Sequence, residues 1–332
     1  MKFSILLSLF LFPAASSFLQ QSTINRSLKP LQTTKFNIEP IKEKTKSVLK
    51  LIRSQNILPT TYLFLTGTFL IDPTLKSKYI LPALISTLSL LSSSMIINDL
   101  FDIQSDKINN PTRPLITREI KIYEAIILFI SVIFLTEILN TRFLHTKFDT
   151  IIYTTIFNIF LYTPVFKKIP FIKNISCAAI VTFSVFFGAL VSSPTFLSLQ
   201  KNYNLLALTM TTVFLGSLYN ELLLDISDYE GDKKAKVYTI PVLFGKNITY
   251  YFLCFILKLN IYGTMFSLFS ITNNYFYTFL FYLLCVPIFN SFYETKEENY
   301  EKNIMLNAVQ TSSRQLLFIL ALISFISTKG II

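Results

Sequence analysis

An all-α, polytopic membrane protein with about nine transmembrane helices is the fold class the sequence predicts. Three observations lead there. Apolar residues make up 52% of the 332 residues, and they come in runs of about 17–25 with few charges inside, the length a helix needs to cross a bilayer. Amphipathic alternation is weak, which argues against the plainer alternative of a large soluble core. Most connections are short, so sequential helices should be antiparallel neighbours.

The runs place helices at roughly 57–71, 79–99, 120–139, 149–165, 174–194, 203–223, 248–270, 275–292 and 310–328. The first is short. Asp72-Pro73 ends it, because proline restricts the residue before it, and Pro59 suits its first turn. Gly67 permits close packing against another helix. Two connections, 100–119 and 225–247, are long, polar and acidic at their start. They follow the second and sixth spans. Each intervening helix reverses direction, so loops four spans apart emerge on one membrane face. Each half of the chain thus places an acidic cluster at a helix end with a basic loop beyond it.

The net charge of +11 is spread over short loops and the N-terminal region. No basic stripe alternates with aromatic residues, so nucleic acid is not an expected partner. Basic loops suit membrane topology and anionic lipid surfaces. Cys177, Cys254 and Cys285 lie in or beside apolar runs without metal-ligand spacing. Their odd number argues against a complete disulfide framework, so they are read as small core residues. His145, the sole histidine, is read as a solvated loop residue.

At the N-terminus, residues 1–17 combine Lys2, a short apolar stretch and small residues at Ala14, Ala15, Ser16 and Ser17, the pattern of a signal peptide. Residues 18–45 open with a segment rich in Ser, Thr and basic residues, as in a transit peptide. Together they resemble the bipartite leader of algae with complex plastids, in which a Phe follows the signal cleavage point, as Phe18 does. A multi-pass protein of a plastid membrane is expected, with a mitochondrial or endomembrane location as the alternative. Residues 46–332 form the transmembrane domain.

The stretch NDLFDIQSDKINNPTRPL runs from Asn98 to Leu115. Asp99, Asp102 and Asp106 are separated by steps of three and four, so on a helix they stack on one face with Asn98 beside them. In YNELLLDISDYEGDKKAK, Glu221, Asp225, Asp228 and Asp232 repeat the pattern with steps of four, three and four. Gly231 is expected to loosen the last turn and leave Asp232 on a bend. Like charges at this spacing repel, and a multivalent cation relieves that repulsion. Mg²⁺ favours carboxylates, retained waters and substrate phosphates, so two aspartate stripes on one face suit two or more Mg²⁺ ions with a diphosphate between them. Arg113, Lys167, Lys168, Lys233 and Lys234 follow on the same face, where arginine offers a fork and lysine a point charge to phosphate oxygens.

At these residues the chain resembles the UbiA superfamily of intramembrane prenyltransferases. The family's first motif, NDxxDxxxD followed by Arg-Pro, is matched by NDLFDIQSDKINNPTRP, and the second, DxxDxxxD, by DISDYEGD. The segments TIPVLFG, YTPVFKK and LIRSQNILPT resemble further family segments, and the likeness covers roughly residues 46–328. The wording is nearest the archaeal digeranylgeranylglyceryl phosphate synthase-like and chlorophyll synthase-like branches, although NNPTRPLITR departs from the chlorophyll-synthase form after Arg-Pro.

The resemblance implies nine helices around a central cavity. It implies Mg²⁺ as cofactor, held by Asn98, Asp102 and Asp106 at one site and Asp225, Asp228 and Asp232 at the other, with the five aspartates catalytic. Asp99 partly serves the shape of the first motif. Asn56, Asn98, Arg113, Tyr162, Lys167, Lys168 and Lys233 are the implied substrate-binding residues, with Tyr162 helping to close the cavity over the diphosphate. The implied reaction moves a prenyl group from a polyprenyl diphosphate to a lipophilic acceptor, aromatic ones included, and releases diphosphate. The alternatives are a UbiA-like terpene cyclase that needs no acceptor and a membrane transporter. Membrane lipid is an expected partner, and no protein partner is indicated.

Overall fold

The computed structural model describes residues 39–162, 165–193, 203–234 and 237–328. The expected signal peptide and most of the expected transit segment lie outside the described residues. The chain divides into residues 1–41 and 42–332. Of the first unit only the opening of helix α1, Glu39–Leu51, is described.

Helices appear at all nine expected positions: α2 (Ile57–Ile71), α3 (Ile80–Phe101), α5 (Ile122–Phe143), α6 (Asp149–Tyr162), α7 (Ile172–Ser192), α8 (Tyr203–Ser227), α11 (Lys246–Thr272), α12 (Tyr275–Glu297) and α13 (Lys302–Thr328). Short helices α4 (Ile103–Asn109), α9 (Tyr229–Lys234) and α10 (Ile240–Phe244) lie between them. Among the described residues, seven helices are long and apolar enough to cross a membrane. The remaining two, α2 and α6, have 15 and 14 residues, which is about 21–23 Å of rise and short of a ~30 Å hydrocarbon core. The largest boundary correction falls on α13, which begins eight residues before the expected 310. Its first turns, KNIMLNAVQ, are too polar for a hydropathy reading, yet the helix continues through them.

The spans pack as two groups joined through α7. On one side α3 lies against α5, α6 and α7; on the other α8 lies against α7, α11 and α13, and α12 closes against α11 and α13. Helix α2 packs on α7 and α13. The contact between α2 and α7 is set by Gly67 and Gly188. A Cβ on Gly67 would meet the Val185 carbonyl oxygen at 1.9 Å, and one on Gly188 would meet the Phe64 carbonyl oxygen at 2.0 Å. Only hydrogen at both positions allows the backbones to approach this closely. Lipid-facing positions carry large apolar side chains such as Leu58, Phe266 and Tyr275, all of which are exposed.

Contacts between loops divide the two ends of the bundle as alternation of direction requires. At one end Lys44 pairs with Glu124 at 2.6 Å, and Ser47 Oγ donates to Glu119 at 2.7 Å. There Arg53 reaches Asp99 and Lys302 reaches Asp228. At the other, Ser77 Oγ donates to Val191 O at 2.6 Å and Tyr79 meets Phe148 edge-on. The starts of α2, α5, α7, α11 and α13 and the ends of α3, α6, α8 and α12 therefore share one face.

Candidate functional site

That shared face carries both aspartate stripes, each built in the same way. A long span ends, the middle aspartate forms a joint, and a short helix continues. Asp102 closes α3 and opens α4 with φ −89 and ψ 6; Asp228 stands between α8 and α9. Helical spacing survives both joints. Asp102 N donates to Asn98 O at 2.9 Å and Asp106 N to Asp102 O at 2.8 Å. Asp228 N donates to Leu224 O at 3.0 Å and Asp232 N to Asp228 O at 2.9 Å. Each stripe therefore keeps one side of its helix. The bend expected at Gly231 does not form, because α9 runs through it to Lys234 and buries both Gly231 and Asp232.

Helix α4 packs against α9, which brings the two stripes together. Asp99, Asp106, Asp225 and Asp232 are all buried. Unpaired buried carboxylates are costly, and basic groups surround these. Arg113 Nη1 donates to Asp99 at 2.8 Å and to Asp106 at 2.5 Å. Arg53 joins Asp99 at 3.2 Å, from a left-handed backbone turn with φ 50 and ψ 60. Lys167 pairs with Asp102, and Lys173 pairs with Asp225, which also accepts from Asn174 Nδ2 at 2.8 Å. Lys302 Nζ reaches Asp228 at 3.0 Å. The charges of Lys173 and, more weakly, Lys167 both act on Asp232. Burial nevertheless pushes the Asp232 carboxyl up to about 6. Burial also raises Asp106, opposed by the charge of Arg113.

Several expected residues take other positions. Lys233 is exposed, with its Nζ 5.6 Å from the centroid of the Tyr229 ring, so it covers that ring instead of reaching an aspartate. Tyr162 is buried, and its hydroxyl accepts from Cys177 Sγ at 2.9 Å. It lies within electrostatic reach of Glu221 and Asp225, beside the second stripe. Asn56 sits half-buried at the N-cap of α2 and makes no capping bond. The side chain of Lys168 lies outside the described residues. Arg53, Lys173, Asn174 and Lys302 were missed as site residues. Lys173 had a readable signal: it is a lysine beside the start of an apolar span whose preceding loop faces the acidic clusters.

The donor set suits Mg²⁺. It is made of carboxylate oxygens, the ligands that ion prefers. Among the described residues no three acidic, histidine or cysteine side chains converge on one metal position. That fits an ion that takes one or two carboxylates and completes its shell with water and substrate phosphate.

The model of the UbiA prenyltransferase family matches residues 57–325. A digeranylgeranylglyceryl phosphate synthase from Methanosphaera stadtmanae is 30% identical over 154 residues, covering 46% of this chain and 53% of that protein. One from Sulfolobus acidocaldarius is 28% identical over 211 residues, covering 62% of this chain and 72% of that protein. The aligned region thus spans about half the length of the first curated relatives matched. Among solved structures, one described as a digeranylgeranylglyceryl phosphate synthase in membranes has a TM-score of 0.64 at 23% identity, covering 86% of this chain and 99% of the other. A UbiA homologue from Archaeoglobus fulgidus bound to GPP and Mg²⁺ has a TM-score of 0.62 at 19% identity, covering 84% of this chain and 99% of the other. These likenesses show the same multi-span helical fold.

Proposed function

Because the chain belongs to the UbiA prenyltransferase family, we propose that it transfers a prenyl group from a prenyl diphosphate to a lipophilic acceptor in a Mg²⁺-dependent reaction. One observation carries the reading: the two aspartate-bearing helices α4 and α9 pack against each other, with Lys167 ion-paired to Asp102 of the first stripe and Lys173 to Asp225 of the second.

Asn98, Asp102 and Asp106 on one side, and Asp225, Asp228 and Asp232 on the other, would hold the metal. Bound Mg²⁺ supplies Lewis-acid assistance to the departing diphosphate. Arg113, Lys167 and Lys173 bring N–H donors to the same place, where they bind phosphate oxygens and stabilise the leaving charge. The isoprenoid tail lies among the apolar spans, out of water. Packed helices around the reacting carbon exclude water, which would otherwise capture an allylic cation before the acceptor does.

The relatives named above make a prenylated glycerol phosphate the first acceptor to test, and an aromatic quinone precursor the second. The purified chain in nanodiscs is incubated with labelled geranylgeranyl diphosphate and Mg²⁺, with geranylgeranylglyceryl phosphate, with homogentisate, and with neither. A prenylated product that requires both acceptor and Mg²⁺ is expected. Cyclic hydrocarbon formed without acceptor would replace transfer by cyclisation, and uptake of the diphosphate without conversion would favour a transporter.

A plastid membrane is the proposed location, on the strength of the N-terminal pattern alone. Residues 1–45 fused to a fluorescent protein should deliver it to the plastid, and delivery to mitochondria or the secretory pathway would refute this.

A further inference from the structure

The face opposite the aspartates carries a feature that the proposed reaction does not use. A groove of about 570 Å³ opens between the start of α3 and the end of α5. Lys78, Tyr79, Arg142, Phe143 and His145 line it, and none of the described residues lining it is acidic. Its walls are tied in place. Tyr79 packs edge-on against buried Phe148, and Lys147 donates to Ser193 O at 3.4 Å. His145 Nδ1 accepts from Lys147 N at 3.1 Å, which leaves Nε2 as the donor of the neutral ring.

The composition changes across the groove in the direction of the bilayer normal. Cations sit at the ends of the spans, with Tyr79 and the exposed Phe143 at the depth where aromatic rings favour the membrane interface. Deeper along the same two spans, which pack against each other, Leu81, Ile85 and Ile138 are exposed apolar side chains. A soluble anion would use the cations alone. A molecule with a phosphate at one end and hydrocarbon at the other would use the whole surface. The start of α3 adds the partial positive charge of a long helix N-terminus.

We infer that this groove seats the headgroup of an anionic glycerophospholipid. Its phosphate is held by Lys78, Arg142 and His145 Nε2, and its acyl chains run along the exposed surface of α3 and α5. The site is separate from the aspartate face, so its occupancy is read independently of prenyl transfer.

The test uses the full chain reconstituted in nanodiscs of phosphatidylcholine containing a minority of phosphatidylglycerol. Lipids retained after release are counted by native mass spectrometry. The wild-type chain should retain phosphatidylglycerol over phosphatidylcholine by about tenfold, as expected for a few cations at the membrane surface. The double variant K78Q/R142Q should lose that preference, and K78R/R142K should keep it. An unchanged melting temperature in pure phosphatidylcholine confirms that K78Q/R142Q is folded. Should it not fold, the single variant H145A, which loses the Nε2 donor at an exposed position, should lower the preference. No preference in the wild type would overturn the inference, as would full preference in the neutralised variants. Displacement of phosphatidylglycerol by millimolar inorganic phosphate would overturn it in favour of a free-anion site.

Discussion

Lys167, in the loop between α6 and α7, is ion-paired with Asp102 at the joint between α3 and α4, 65 residues earlier in the chain. Its charge also acts on Asp232 of the second stripe. One lysine thus links elements that sequence alone places in separate halves of the molecule. Among the described residues, Arg53, Arg113, Lys167, Lys173 and Lys302 pair with Asp99, Asp102, Asp106, Asp225 and Asp228, which keeps these carboxylates tolerable without a metal.

The two joint residues should be indispensable. Asp102→Asn and Asp228→Asn each remove a negative charge from the proposed metal site at nearly unchanged shape, with an amide donor in place of one acceptor oxygen. Prenyl transfer should fall by at least about 100-fold in each, the scale seen when one preorganised electrostatic contact is lost. The melting temperature should change little. Wild-type turnover by both folded variants would remove these residues from the site.

Lys167 should act on the diphosphate instead of serving only as a structural partner. Lys167→Met is expected to raise KM for the prenyl diphosphate and lower kcat, with Lys167→Arg recovering part of both. Steady-state kinetics at saturating Mg²⁺ distinguish this from a folding defect, which would reduce the active fraction and leave KM unchanged.

A stability cost should follow from filling the crossing of α2 and α7. Gly67→Ala and Gly188→Ala each force a methyl group into a backbone carbonyl, and overpacking of this kind costs about 1–3 kcal/mol. Gly263→Ala is the control, because a Cβ there meets nothing within 4 Å. Thermal unfolding in detergent should show clear losses at the first two positions and none at the third.

The pH dependence follows from Asp232. Its carboxyl, raised to about 6 by burial, holds a proton in the folded chain over a pH range where the unfolded chain has lost it. The folded state then binds more protons, so metal-free stability falls as pH rises from about 4 through about 6. Metal binding requires the ionised form, so the stabilisation gained from Mg²⁺ should grow over the same range. Melting temperatures with EDTA and with Mg²⁺, taken at successive pH values, should diverge toward neutral pH, and Asp232→Asn should flatten the metal-free slope.

Much of this arrangement was legible in the sequence. Runs of apolar residues place nine helices, and steps of three and four place each aspartate stripe on one helical side. Alternating direction puts both stripes on one face, as their contact confirms. The boundary of α13 was not legible, because a helix that extends beyond the hydrocarbon carries polar residues and loses its hydropathy signal. Arg53 and Lys302 were missed for a related reason. Each lies in a polar stretch with no periodic partner, and only the packing of α1, α2 and α13 around the site brings it to an aspartate. Lys233 was assigned to the site from its neighbour Asp232, but adjacent residues on a helix point about 100° apart, and it faces Tyr229 instead.

The most direct test is a structure of the chain with Mn²⁺ in place of Mg²⁺ and a non-hydrolysable prenyl thiodiphosphate, with the metal located by anomalous scattering. One diphosphate should lie between α4 and α9, with metal peaks bridging it to carboxylates of both stripes. A diphosphate and metal held by one stripe alone, with the other stripe still closed on its lysines, would contradict the shared site.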